Sequence, residues 1–133
     1  MALCVPNVGE VLLLSYALNK VAPTEVKLKI YKNDYTPVEG SVVADFTEAN
    51  AAGYAAIELA GASWTISTDG GGITTATYAQ QTFTFTAAST NYGYYITNNN
   101  GSQVLWAERF SDAPHTLPGG GGTEKITINI IGE

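Results

Sequence analysis

From Val26 onward the chain alternates apolar and polar residues with a period of two, the repeat of a strand that buries one face and wets the other. Val26, Leu28 and Ile30 fall on one side, with Lys27, Lys29 and Tyr31 on the other. Ala62, Trp64 and Ile66 alternate in the same way with Ser63, Thr65 and Ser67. Phe83 and Phe85 alternate with Thr82, Thr84 and Thr86, and Ile126, Ile128 and Ile130 with Lys125, Thr127 and Asn129. Threonine suits the outer face of such strands, because its branched carbon fits the pleat while its hydroxyl tolerates water. Asp69-Gly70-Gly71-Gly72 and Asn98-Asn99-Asn100-Gly101 separate the runs with residues that accept positive φ, and Asn-Gly is the stronger hairpin signal. Pro114, Pro118 and the glycines at 119–122 mark a longer loop before the last strand. Seven or eight strands and no internal repeat predict an all-β chain, an antiparallel β-sandwich of jelly-roll-like type. Thr47-Glu48-Ala49-Asn50 is where one turn of helix also fits.

The first 20 residues follow another period. Asn7 and Glu10 have the spacing of a capping box with Asn in place of Ser or Thr, which predicts a helix over 8–18 that stops at Asn19. Val11, Leu14 and Leu18 share one face, and Leu12, Leu13, Tyr16 and Ala17 fill much of the rest, so the helix must be covered on more than one side. An edge strand with Val11, Leu13 and Ser15 on one face is the alternative. The expected organisation is an N-terminal arm or helix over 1–20 and one β-sandwich domain over 21–133, since 133 residues leave little room for a second core. An apolar arm does not stay exposed on a soluble monomer, so Val11, Leu12, Leu13, Leu14 and Leu18 form a candidate assembly interface.

Charged residues make up only 14% of the chain, against about 25% in an average soluble domain, so uncharged polar side chains must cover much of the surface. The net charge of -6 repels phosphate backbones and anionic lipid, which argues against nucleic acid as a partner. The apolar run at 11–18 is shorter than the roughly 20 residues of a spanning helix, and no membrane partner is expected. It also follows Asn7 and Glu10 where a secretory signal carries Lys or Arg, so the whole chain is expected to be made in the cytoplasm and kept there until it meets whatever it joins. The single cysteine, Cys4, leaves no disulfide framework and no multi-cysteine zinc site.

Side chains that exchange protons are scarce, and neither catalytic residues nor a cofactor nor a metal is expected. His115, the one histidine, lies in Asp112-Ala113-Pro114-His115-Thr116 and reads as a solvated loop residue, with no Gly-x-Ser-x-Gly elbow to complete a triad. Glu108 shares the parity of Trp106 and so points toward an apolar face, where a structural or interface hydrogen bond explains it better than half of a glycosidase pair. The glycines at 119–122 lead into Thr123-Glu124-Lys125 rather than a phosphate loop, and Asn100-Gly101-Ser102 reads as a tight turn. Aromatics are the enriched chemical feature. Tyr92, Tyr94, Tyr95 and Trp106 lie on two strands of one hairpin, with Tyr95 facing away from Tyr94, and form a candidate aromatic surface. Such rings stack on sugars when exposed, while core packing or subunit contact accounts for them equally. Trp64 and Trp106 are expected inside the sandwich, flanked at equal parity by Ala62 and Ile66 and by Val104 and Phe110.

Several blocks carry a resemblance: Val5-Pro6-Asn7-Val8-Gly9-Glu10, Asp45-Phe46-Thr47-Glu48-Ala49, Gly53-Tyr54, Tyr78-Ala79-Gln80-Gln81-Thr82-Phe83-Thr84-Phe85, Tyr92-Gly93-Tyr94-Tyr95 and Leu105-Trp106-Ala107-Glu108-Arg109-Phe110. In their order the chain resembles small virion structural proteins of tailed bacteriophages, of the kind that decorate or cement a capsid. The resemblance implies a non-enzymatic subunit on the capsid surface, with the major capsid protein and copies of itself as partners, and supplies no catalytic residues. A tail or spike glycan-binding module and a carbohydrate hydrolase are the alternatives.

Overall fold

In a computed structural model describing residues 3–132, the alternating runs become strands and the apolar arm becomes a helix. Helix α1 spans Asn7–Ala17 and is followed by β1 (Val26–Tyr31), β2 (Ile57–Leu59), β3 (Thr65–Thr68), β4 (Thr74–Phe85), β5 (Ser89–Asn91), β6 (Gly93–Thr97), β7 (Val104–Arg109), β8 (His115–Leu117) and β9 (Gly122–Gly132). All pairing between these strands is antiparallel. One sheet has the order β2-β1-β6-β7, a second the order β3-β4-β9, and β5 pairs with β8 alone.

Both predicted hairpins form. Asp69 accepts from the Gly71 and Ile73 amides through its side chain, and Gly72 takes the positive φ that the β3–β4 turn requires. Asn98 receives the Gln103 amide on its side-chain oxygen, and Gly101 turns the chain from β6 into β7 with φ of 74°. The runs through Ala76 and Phe83 belong to one strand of 12 residues, β4, bulged between Tyr78 and Gln81 where its register against β9 shifts.

The sandwich-like core lies between the four- and three-stranded sheets. Leu28, Ile30, Leu59, Tyr94 and Ile96 from the first meet Phe83, Phe85, Ile126 and Ile128 from the second. The far face of the four-stranded sheet carries a smaller core, in which Tyr31, Tyr95, Val104 and Ala107 pack with Phe46. Tyr31 is thus buried on the face expected to be wet. Residues 47–49 are extended rather than helical: Thr47 accepts from the Lys32 amide and Ala49 donates to the Ile30 carbonyl, so β1 takes this segment as a further pairing partner. The turn of helix in this region is instead a 3-10 turn at Val43–Asp45.

The capping box does not form. Asn7 is already in the first turn, its amide donating to the Glu39 carbonyl at 2.8 Å, and the Pro6 carbonyl accepts the Gly9 and Glu10 amides. The helix therefore begins one residue early, on an extended Pro6. It also ends one residue early, at Ala17, and the helical path breaks off at Asn19 as expected, with Asn19 in the left-handed region at φ 54° and the Lys20 amide returning to Ser15.

Candidate functional site

The helix is covered on one side only. Gly9, Leu12, Leu13 and Tyr16 recur at the i, i+3, i+4, i+7 spacing of a helix face, and this face lies on β7. A side-chain carbon on Gly9 would come within 2.7 Å of the Leu105 carbonyl oxygen, so glycine sets how closely the helix approaches. Of the candidate interface residues, Leu12 is buried against the chain's own sheet and Leu13 is half-buried. Val11, Leu14 and Leu18 stay 64%, 63% and 77% exposed.

Between α1 and the outer half of the β3-β4-β9 sheet runs an apolar furrow of about 260 Å³, walled by Leu13, Tyr16, Val26, Trp64, Ile66 and Trp106. Two further recesses adjoin it at Trp106 and Ile130, one of about 270 Å³ reaching Glu108 and Asn129 and one of about 460 Å³ reaching Leu14 and Ile131. The sheet is thin here. All four residues of β3 are exposed, against the half-buried strand expected, because no second layer packs over this end, and Ile66, Ile73 and Ile131 are exposed with them.

A bulge separates Val104 from Trp106, which keeps the face of Glu108 and Phe110 and borders the furrow. Trp106 pairs with Ile96 and Val104 with Thr97, leaving Leu105 as the extra residue in β7. Val104 and Trp106, expected on one face, are therefore on opposite faces: Val104 joins the smaller core and Trp106 packs at the margin of the main one. Trp64 follows a 3-10 turn, Gly61–Ser63, and meets the Tyr78 ring edge-on at 5.0 Å. Both tryptophans are half-buried at the furrow rather than sealed inside the sandwich.

The other aromatic candidates do not share a surface. Tyr94 is buried in the main core, its hydroxyl donating to Glu108 Oε2 at 2.9 Å, while Tyr95 is buried in the smaller core and stacks on Phe46 at 4.8 Å. Burial raises both hydroxyl pKa values, and the Glu108 charge adds to the effect at Tyr94 as that of Glu48 does at Tyr95. Tyr92 lies beneath the Arg109 guanidinium, 5.2 Å from its ring centre, and Arg109 pairs in turn with Asp34 at 2.6 Å. Glu108 thus has the structural hydrogen bond expected of it.

His115 is not a solvated loop residue. It opens β8, stacks on Phe110 at 4.2 Å, and turns Nδ1 to Glu124 Oε2 at 3.0 Å and Nε2 to Asp112 Oδ1 at 2.7 Å. Glu124 is 5% exposed and its other oxygen accepts from Asn91 at 3.0 Å. Burial disfavours the imidazolium, but the hydrogen bonds and charges of the two carboxylates outweigh it and raise the His115 pKa. With both ring nitrogens held by carboxylates, His115 links β8 to β9 rather than activating a nucleophile. The sequence carried a sign of this: Glu124 has the parity of Ile126 and Ile128, and a carboxylate on a buried face needs a partner.

Among the described residues no three His, Cys, Asp or Glu side chains are grouped to hold a metal ion, and no helix is long and apolar enough to cross a membrane. No protein-family model matches the chain, and no curated protein matches it.

Proposed function

We propose that this chain is a non-enzymatic virion structural protein of a tailed phage, a cement or decoration subunit on the capsid surface that bridges major capsid proteins. The observation that carries the reading is the number of exposed apolar side chains at the furrow end of the molecule, Val11, Leu14 and Leu18 on the helix, Ile66 beside the furrow, and Ile73 and Ile131 at the same end of the sheet. Exposed apolar surface of this kind on a charge-poor domain favours contact with protein. Copies repeated over a shell add many modest contacts, which together oppose opening. The phage setting rests on the sequence resemblance, and the contact surface on the geometry.

A glycan-binding role has less support, because the furrow walls are almost wholly apolar and offer few groups to the hydroxyls of a sugar. Quantitative proteomics of purified particles tests the proposal. The expected result is a copy number near that of the major capsid protein; absence from particles, or a number typical of tail components, overturns it. A folded Leu14→Lys, Leu18→Lys double variant is expected to lose occupancy.

A further inference from the structure

A sheet edge is an open row of backbone donors and acceptors, and soluble proteins blunt it with charge, proline or a covering segment. The edges of this molecule differ in that respect. Strand β2 carries the exposed Glu58; β9 carries Lys125 and the inward-pointing Glu124 near its start, and in its uncharged remainder Ile126 and Ile128 are buried, so that strand is packed where β3 is not. The outer edge of β7 is taken by Cys4, which exchanges two backbone hydrogen bonds with Ala107 at 2.7 and 2.9 Å. Strand β3 has none of these devices: Thr65, Ile66, Ser67 and Thr68 include no charge and no proline, all are exposed, and β3 ends its sheet. The bulge in β4 lies beyond the residues paired to β3, so the β3–β4 register runs without interruption from Thr65 opposite Thr77 to Thr68 opposite Thr74.

We infer that β3 is the site at which a second copy of this chain adds, edge to edge and antiparallel, to make a continuous six-stranded sheet. A two-fold axis perpendicular to the sheet keeps each face on its own side, so only residues of equal parity become opposed. The register that joins the exposed isoleucines sets Ile66 against Ile66, Thr65 against Ser67 and Trp64 against Thr68. In this register Asp69, the charge next along the chain, lies opposite Ser63 of the second copy and not opposite another carboxylate. Two chains of net charge -6 thus meet through a segment that contributes no like-charge pair. Five paired residues per chain, 64–68, cover much less than the roughly 1,200–2,000 Å² of a stable interface, so the dimer is weak and concentration-dependent. Crowding of copies on a shell would populate it. The inference deepens the self-association within the proposed function, and its test needs no particle, so the two fail separately.

Analytical ultracentrifugation of the full chain at increasing concentration reads the association directly. Dimer formation is expected at high micromolar protein, and Ile66→Lys, an exposed substitution whose retained fold circular dichroism checks, is expected to weaken it at least tenfold. In a Cys4→Ser background, Ile66→Cys is expected to form a disulfide dimer under mild oxidation faster than Thr68→Cys or Ile73→Cys, because only residue 66 faces itself. A chain that stays monomeric at hundreds of micromolar overturns the inference, as does a dimer that Ile66→Lys leaves intact or cross-linking fastest at 68 or 73.

Discussion

Phe83 and Ile66 stand on strands of one sheet and obey the same alternation, yet Phe83 is 2% exposed and Ile66 70%. The difference lies in what faces them. Around Phe83 and Phe85 the β4–β9 pair packs on Leu28, Ile30 and Ile96 of the other sheet. Around Ile66 the three strands extend past that cover and form a ribbon whose apolar side is only partly met by α1 across the furrow. Period-two patterning specifies which face of a strand is apolar. It does not specify whether another layer reaches that face, and where none does, the pattern marks surface available for association.

The contrast can be broken most directly by truncation. Phe83→Ala is expected to cost about 3–5 kcal/mol, a large share of the roughly 5–15 kcal/mol that holds a domain, and Ile66→Ala to change stability by less than about 0.5 kcal/mol. Urea denaturation of the two variants measures both, and equal costs would remove the distinction between the halves. Backbone approach offers a second probe of the packed half. A side-chain carbon on Gly93 would collide with the Glu108 carbonyl and the Tyr31 ring, whereas one on Gly70, in the exposed turn, meets nothing within 4 Å. Gly93→Ala is expected to destabilise by about 3 kcal/mol and Gly70→Ala to be nearly neutral; similar midpoints would mean that β6 and β7 are less tightly apposed than described.

The tryptophans lie at the boundary between the two regions and should show intermediate behaviour. Trp64→Ala and Trp106→Ala are each expected to cost about 1–3 kcal/mol, less than Phe83→Ala, and to leave a folded chain. Complete unfolding by either would place it in the sealed core. The smallest effect concerns the link from β8 to the packed end of β9. The folded pKa of His115 lies above its ordinary value of about 6.5, so its contribution is full below that value and is lost as pH rises through the folded pKa. The Asp112 pKa is lowered, first by its hydrogen bond to His115, so its share is present above the ordinary carboxyl value and is lost on acidification. The melting temperature of the native chain should therefore exceed that of His115→Gln by a few degrees at mildly acid pH, with the gap closing above neutrality. A gap that widens as pH rises would contradict the link.

Much of the fold was legible in the sequence because its signals are local. The limits of β1, the inward faces of Phe83, Phe85, Ile126 and Ile128, the two hairpin turns and the helix stop at Asn19 depend on side-chain parity and on residues that tolerate a positive φ. The misplaced features are those set by a partner distant in the chain. A single bulge residue, Leu105, reversed the face of Trp106 relative to Val104. The Glu39 carbonyl held Asn7 inside the helix instead of at its cap, and Ile30 and Lys32 drew 47–49 into extended pairing.

The same division holds for the candidate site. Residue order alone made the arm apolar, with a helix as the first reading and an edge strand as the second, made the rest an antiparallel β structure, and left charge scarce on its surface. Long-range packing chose the helix and the side of it that is spent on the chain's own sheet. It selected Gly9, Leu12, Leu13 and Tyr16, because glycine permits close approach to β7, and left Val11, Leu14 and Leu18 outside. It likewise decided that one end of the β3-β4-β9 sheet would have no cover. Burial depends on which surfaces meet across the molecule, and that information is carried by no single segment of the chain.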